Sequence, residues 1–147
     1  MEPQIRVDRE LKGKVAIVTG AGRMRGIGRA TANVLARMGA NVVVTGTGRD
    51  PDTFPLDEKD ARWRDIESTA EQVESYGVKS MSLISNIADE DDVQKMIDVT
   101  VRQFGRLDVI VNNAAAPYGS DRVSVLDLPT EVFTKVINVK VMGTFYA

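Results

Sequence analysis

Residues 19–28 read Thr-Gly-Ala-Gly-Arg-Met-Arg-Gly-Ile-Gly, with Gly20, Gly22, Gly26 and Gly28 lying between a short apolar run and an amphipathic one. Glycines so placed let a chain turn sharply and bring bare backbone N–H groups up to an anion. The start of a following helix adds its dipole to the attraction. The chemistry they suit is phosphate or pyrophosphate binding, although a tight turn with close helix–strand packing asks for the same glycines. The 147 residues contain no His and no Cys. They therefore hold no Cys nucleophile, Ser-His-Asp triad, Cys/His metal site or disulfide. Hydroxyls, carboxylates, amines, backbone groups or a bound cofactor must carry any reaction.

A glycine loop works only in a frame, and the apolar periodicity supplies one. Val15–Val18 is short and β-branched enough for a fully buried strand. Ile27, Ala30, Val34, Leu35 and Met38 fall on one stripe at helical period, ended by Gly39, which predicts a helix that buries that stripe. Val42–Val44 is a second strand. Gly46 to Lys59, with its prolines, glycines and acidic residues, reads as a loop of unusual length. Trp63, Ile66, Ala70 and Val73 predict a helix, and Val78–Ile84 a third strand. The acidic run Asp89–Asp92 suits a helix start, with Val93, Met96, Ile97 and Phe104 as the buried face up to Gly105. Leu107–Val111 is a fourth strand, and a last helix begins near Pro129-Thr130-Glu131. Strands that are apolar throughout, alternating with helices, predict an α/β doubly wound parallel sheet.

Length suits one domain, so residues 1–147 are read as one unit. Nineteen Lys and Arg against 21 Asp and Glu give a net charge of −2, which predicts neither a nucleic-acid nor an acidic-membrane partner. No run approaches the ~18 apolar residues of a membrane span, and Met1 to Lys14 is charged where a secretory signal is apolar. A soluble cytoplasmic protein is the expectation.

The glycine loop resembles that of the short-chain dehydrogenase/reductase family, Thr-Gly-x-x-x-Gly-x-Gly. Thr19-Gly20 and Gly26-Ile27-Gly28 match it with two extra residues between them, whereas Gly22, Gly26 and Gly28 keep the spacing, so either Gly20 or Gly22 serves as first glycine. Asn112-Asn113-Ala114-Ala115 resembles the family's Asn-Asn-Ala-Gly, and Asn86-Ile87 stands where its members have Asp-Val against the adenine. Asn138-Val139-Lys140-Val141-Met142-Gly143 resembles the stretch carrying the catalytic Asn. The resemblance implies a Rossmann fold that binds NAD(P) and moves hydride between nicotinamide and a carbonyl or alcohol substrate. In that frame Gly20, Gly22, Gly26, Ile27 and Gly28 hold the cofactor, and Asn112 and Ala114 line the floor under its ribose. Asn86 accepts from the adenine amino group or only shapes the turn before Asp89; Ile87 adjoins it. Asn138 disturbs its helix and holds a relay water, or is an ordinary helix residue.

An acidic residue at the end of the second strand would select NAD. Thr45-Gly46-Thr47-Gly48-Arg49 has none before Asp50, while Arg25 and Arg49 suit a 2′-phosphate, so NADP is favoured over NAD. The family's Tyr-x-x-x-Lys is not found: Tyr76 precedes Lys79 by three residues, and Tyr118 precedes Arg122. Tyr118 and Ser120 read as loop residues. The sequence reaches Ala147 inside an apolar helical pattern, which predicts the amino-terminal part of a larger fold, incomplete on its carboxyl-terminal side. The rest of that fold or a partner chain would complete it, in a homo-oligomer. The stretch 46–59, leaving the second strand beside the adenosine end, is placed to fold over the cofactor.

Overall fold

The computed structural model describes residues 9–116 and 119–147; Tyr118 lies outside them. Four strands, β1 (Val15–Val18), β2 (Asn41–Gly46), β3 (Ser80–Ile84) and β4 (Val109–Val111), form a parallel sheet in the order β3-β2-β1-β4. From β1 the chain winds outward through β2 to β3, then returns to place β4 on the other side of β1. The winding thus reverses between β1 and β4, and doubly wound sheets bind ligands in the crevice at the carboxyl ends of strands there. Thr19 to Gly28 and Asn112 to Ala114 both leave strands at that crevice.

The central strands are apolar throughout because both faces are covered. Val18, Val42 and Val44 pack with Ala32 and Ala36 of α1 (Ile27–Arg37) and with Ile66, Ala70 and Val73 of the helix Ile66–Glu74. On the other face, Ile17 and Val43 meet Val93 and Met96 of the helix Glu90–Phe104, with Val139 and Tyr146 packed against them. That helix starts as its acidic run predicts: Asp89 caps it by accepting the Asp92 N–H at 3.1 Å, and Gly105 closes it at φ 78°.

Helix α1 turns a different face to the sheet from the one its apolar spacing predicts. Gly28, Ala32 and Ala36 are buried, whereas Ile27 is 78% and Val34 50% exposed, and Ala30 is exposed too. Small residues win because α1 lies close to the backbone beneath it; a Cβ on Gly28 would stand 2.8 Å from the Gly20 carbonyl oxygen. Leu35 alone of the predicted stripe packs against the core from part-buried.

The stretch 46–59 is folded rather than an open loop. It contains a 3-10 turn at Pro51–Thr53, capped by the Asp50 carboxylate, and a short helix α2 (Leu56–Asp60). Phe54 and Glu58 are buried. The next helix, α3, begins at Ile66 and not at Trp63, because Arg62 and Asp65 stand at φ 52° and 56° and interrupt the helical path. Beyond α4 (Glu90–Phe104) and β4, α5 (Thr130–Ile137) runs through a π-helical turn at Asn138–Met142 into α6 (Gly143–Tyr146). Among the described residues no helix is long and apolar enough to cross a membrane.

Candidate functional site

Thr19 ends β1 by linking it to β4. Its N–H donates to the Val111 carbonyl at 3.1 Å, and its hydroxyl accepts the N–H groups of Asn113 and Ala114, each at 3.1 Å. Asn113 reaches back, donating from Nδ2 to the carbonyls of Thr19 at 2.8 Å and Gly20 at 3.0 Å. The amide that joins β4 to the glycine loop is Asn113, while Asn112, expected under the ribose, is exposed. Gly20 turns at φ 67°, where a Cβ would stand 2.7 Å from Ala114 Cα. Ala114 thus packs directly against the glycine loop.

Gly20 and Gly22 are both required, for different neighbours. A Cβ on Gly22 would fall 2.0 Å from Asp65 Oδ1. Between them Ala21 is fixed by its N–H to the Thr45 carbonyl at 2.9 Å and by the Thr69 hydroxyl on its own carbonyl at 2.7 Å. Gly26 is the N-cap of α1, with no side-chain cap bond and no acidic residue in the first turn. Orphan N–H groups at the helix start thus have no side-chain acceptor among the described residues, beside an exposed Ile27.

The two extra residues of the loop are held by the folded insertion. Met24 donates its N–H to Glu58 Oε1 at 2.8 Å, and its carbonyl accepts from Arg29 Nη1 at 2.6 Å. The Gly22 carbonyl accepts from Trp63 Nε1 at 2.6 Å and from Arg49 Nη2 at 3.3 Å. The Arg29 guanidinium lies 5.4 Å from the centre of the Trp63 ring, and that of Arg49 lies 4.5 Å from Phe54.

Both arginines expected at a 2′-phosphate have carboxylate partners already. Arg25 pairs with Asp57 at 2.9 Å on the surface. Arg49 binds Glu58 Oε2 at 2.9 Å and Asp65 Oδ1 at 2.6 Å, with side chains 19%, 2% and 9% exposed. Burial works against the charge on Arg49, but hydrogen bonds to Glu58 and Asp65 outweigh it and hold its pKa above the ordinary value. Glu58, Trp63 and Asp65 escape a reading of motifs. The two surplus residues in the loop, next to an insertion rich in carboxylates, were the signal that something must brace them.

A second set of residues lines an open groove of about 490 Å³, which brings Asn86 and Asn138 together with Thr134 and Lys135. Asn86 accepts the Ala88 N–H on its Oδ1 at 3.2 Å, so its side chain shapes the turn, and it is exposed. Ile87 points into the core, 7% exposed, and its carbonyl would stand 2.8 Å from a Cβ on Gly143. Asn138 is exposed at the first residue of the π turn, a feature frequent at functional sites.

The profile of the short chain dehydrogenase family matches residues 14–147. The chain belongs to the short-chain dehydrogenase/reductase family. An oxidoreductase of Bacillus subtilis, YhdF, is 34% identical over 137 residues, which cover 93% of this chain and 42% of that one. The L-rhamnose 1-dehydrogenase (NAD(P)(+)) of Azotobacter vinelandii is 35% identical, with 90% and 46% covered. The NAD-bound short chain dehydrogenase of Mycobacterium paratuberculosis superposes with a TM-score of 0.76 at 30% identity, over 93% of this chain and 48% of that one. The chain thus spans about half or less of the length of these short-chain dehydrogenase/reductase relatives.

Proposed function

We propose that the chain binds a nicotinamide dinucleotide and supplies the cofactor-binding half of an oxidoreductase acting on a small carbonyl or alcohol compound. The observation that carries this reading is the start of α1. An 11-residue helix capped only by glycine, with no acid in its first turn, leaves its N–H groups and positive end to an anion. Gly20, Gly26 and Gly28 bring backbone to a pyrophosphate, and Ile27 offers an exposed apolar contact. Exposed Asn112 would offer its amide to a ribose, and Asn86 a carbonyl to an adenine amino group.

When bound, the dinucleotide supplies the hydride. Asn138 would hold a water for proton relay. Support for NADP from Arg25 and Arg49 falls away with their pairing to Asp57, Glu58 and Asp65. Exposed Phe133, Val141 and Phe145 favour a covering surface, from the remaining fold, a partner chain or a second copy. The alternative reading is a dinucleotide-binding or structural subunit completed by a partner chain.

Titration of NADH and NADPH into the folded chain, followed by nicotinamide fluorescence, tests the first reading. Saturable enhancement with at least one of them, reversed by ADP-ribose, is expected. Absence of saturable binding to a chain that melts cooperatively overturns it. Oxidation of the bound cofactor by added carbonyl compounds separates the enzyme from the subunit.

A further inference from the structure

Resting on that dinucleotide reading, we propose that Asp65 sets the choice of dinucleotide, toward NAD and against NADP, in the role that β2 leaves empty at its end. A carboxylate at the end of the second strand accepts from a ribose hydroxyl and repels a 2′-phosphate. Strand β2 ends in Gly46 and carries no acid there. Asp65 arrives from the far side of the insertion. A Cβ on Gly22 would lie 2.9 Å from its Oδ2, and one on Gly46 would lie 3.6 Å from the same oxygen. Its carboxylate therefore stands between the glycine loop and the carboxyl end of β2, in space that exists because both neighbours are glycine.

The side chain is aimed there at the expense of an ordinary structural use. Asp65 is the N-cap of α3, where an aspartate normally accepts an N–H of its own helix, and it makes no such bond. Its backbone sits at φ 56° and ψ −128°, a region that residues other than glycine rarely occupy. Oδ1 takes Arg49 Nε at 2.8 Å and Nη2 at 2.6 Å, while Oδ2 has no hydrogen bond among the described residues. The side chain is only 9% exposed, so this is a buried acceptor with capacity unused.

Charge points the same way. Glu58 alone would neutralise Arg49, and Asp65 adds a second carboxylate, so one guanidinium faces two carboxylates with one negative charge in excess. A 2′-phosphate carrying roughly two negative charges is repelled by that excess. A ribose diol meets an acceptor. Arg49 and Glu58 act as positioning residues: Arg49 orients Asp65, and Glu58 fixes both Arg49 and the Met24 N–H.

Dissociation constants for NADH and NADPH, measured by fluorescence on the full chain and its Asp65→Asn and Asp65→Gly variants, test this. Glycine suits the backbone at position 65, so that variant keeps the question open if asparagine disturbs folding. The wild type is expected to bind NADH about 10- to 100-fold tighter than NADPH, and both variants to bring that ratio within about threefold. Glu58→Gln, which removes the excess charge but keeps the Asp65 acceptor, should shift the ratio by less than either Asp65 variant. A wild-type preference for NADPH, a ratio unmoved in both Asp65 variants, or a ratio that shifts as much in Glu58→Gln overturns the assignment of Asp65. Binding of neither cofactor overturns the dinucleotide reading instead.

Discussion

The glycine loop and the groove at Asn138 both lie beyond carboxyl ends of strands, yet they stand in opposite relations to the fold. In the loop, Gly20, Gly28 and Asn113 make the contacts that join β1, β4 and α1, so the proposed cofactor site and the architecture depend on the same atoms. In the groove, Asn86 and Asn138 are exposed, and the core behind them is built by Ile87 and Val139. The contrast teaches where function can be probed cleanly. A loop substitution changes folding before it reports on a ligand, whereas a groove substitution leaves the scaffold alone.

The largest effect is expected at Gly20. Alanine there must adopt φ 67° and place its Cβ 2.7 Å from Ala114 Cα, a conformational cost added to an overpacking cost of about 2–4 kcal/mol together. Gly77→Ala separates the two, because Gly77 has φ 79° with nothing within 4 Å of a Cβ. Its cost should be only the conformational ~1 kcal/mol. Urea unfolding of the two variants checks the difference, and equal losses would mean that the approach of the loop to Ala114 is not tight. Next in size is Asn113→Ala, which leaves the Thr19 and Gly20 carbonyls without their donor and should cost about 1–3 kcal/mol. Asn112→Ala, at the exposed neighbour, should stay within about 0.5 kcal/mol while weakening cofactor binding.

Much of this was legible in the residues themselves. Apolar runs without alternation specify strands buried on both faces, and Asp89 and Gly105 mark the ends of α4 by chemistry that needs no tertiary partner. The buried face of α1 was not legible, because periodicity scores Ile27 and Val34 above Gly28, Ala32 and Ala36. Only the closeness of the backbone beneath makes small size worth more than apolar area. The insertion was unreadable for a related reason. Its acidic and glycine-rich composition is that of a solvated loop, and it folds because Arg49, reached only in three dimensions, gathers Glu58 and Asp65. Asn112 and Asn113 are identical in type, so which one faces the loop depends on strand register.

A smaller effect is expected at the opposite end of the sheet, which is free of either site. Asp108 accepts the Val15 N–H at 2.9 Å and pairs with Arg106 and Lys14, joining the starts of β4 and β1. The Arg106 side chain, then the Val15 N–H, hold its carboxyl well below the ordinary carboxylate range. A depressed folded-state pKa means that the stabilisation is fully present above the unfolded value of about 3.9 and is lost as pH falls below it. The gap in urea midpoint between the wild type and Asp108→Asn should therefore be constant from about pH 5 to 8 and close below about pH 4. A gap that persists in acid would assign the effect to the shape of the side chain rather than its charge.

The smallest effect on stability belongs to Asn138, and it bears on why the helix bulges there. The π turn begins at Asn138, but the Asn138 side chain makes no hydrogen bond among the described residues. The register change instead delivers Gly143 against Ile87, whose carbonyl would stand 2.8 Å from a Cβ at that position. If the bulge is set by that approach, Asn138→Ala should change the unfolding free energy by less than about 0.5 kcal/mol and leave dinucleotide affinity as it was. Gly143→Ala, which pushes a methyl group into the Ile87 backbone, should cost about 1–3 kcal/mol. The reverse ranking in urea unfolding would mean that Asn138 itself builds the turn, and the groove would then share the double duty that marks the glycine loop.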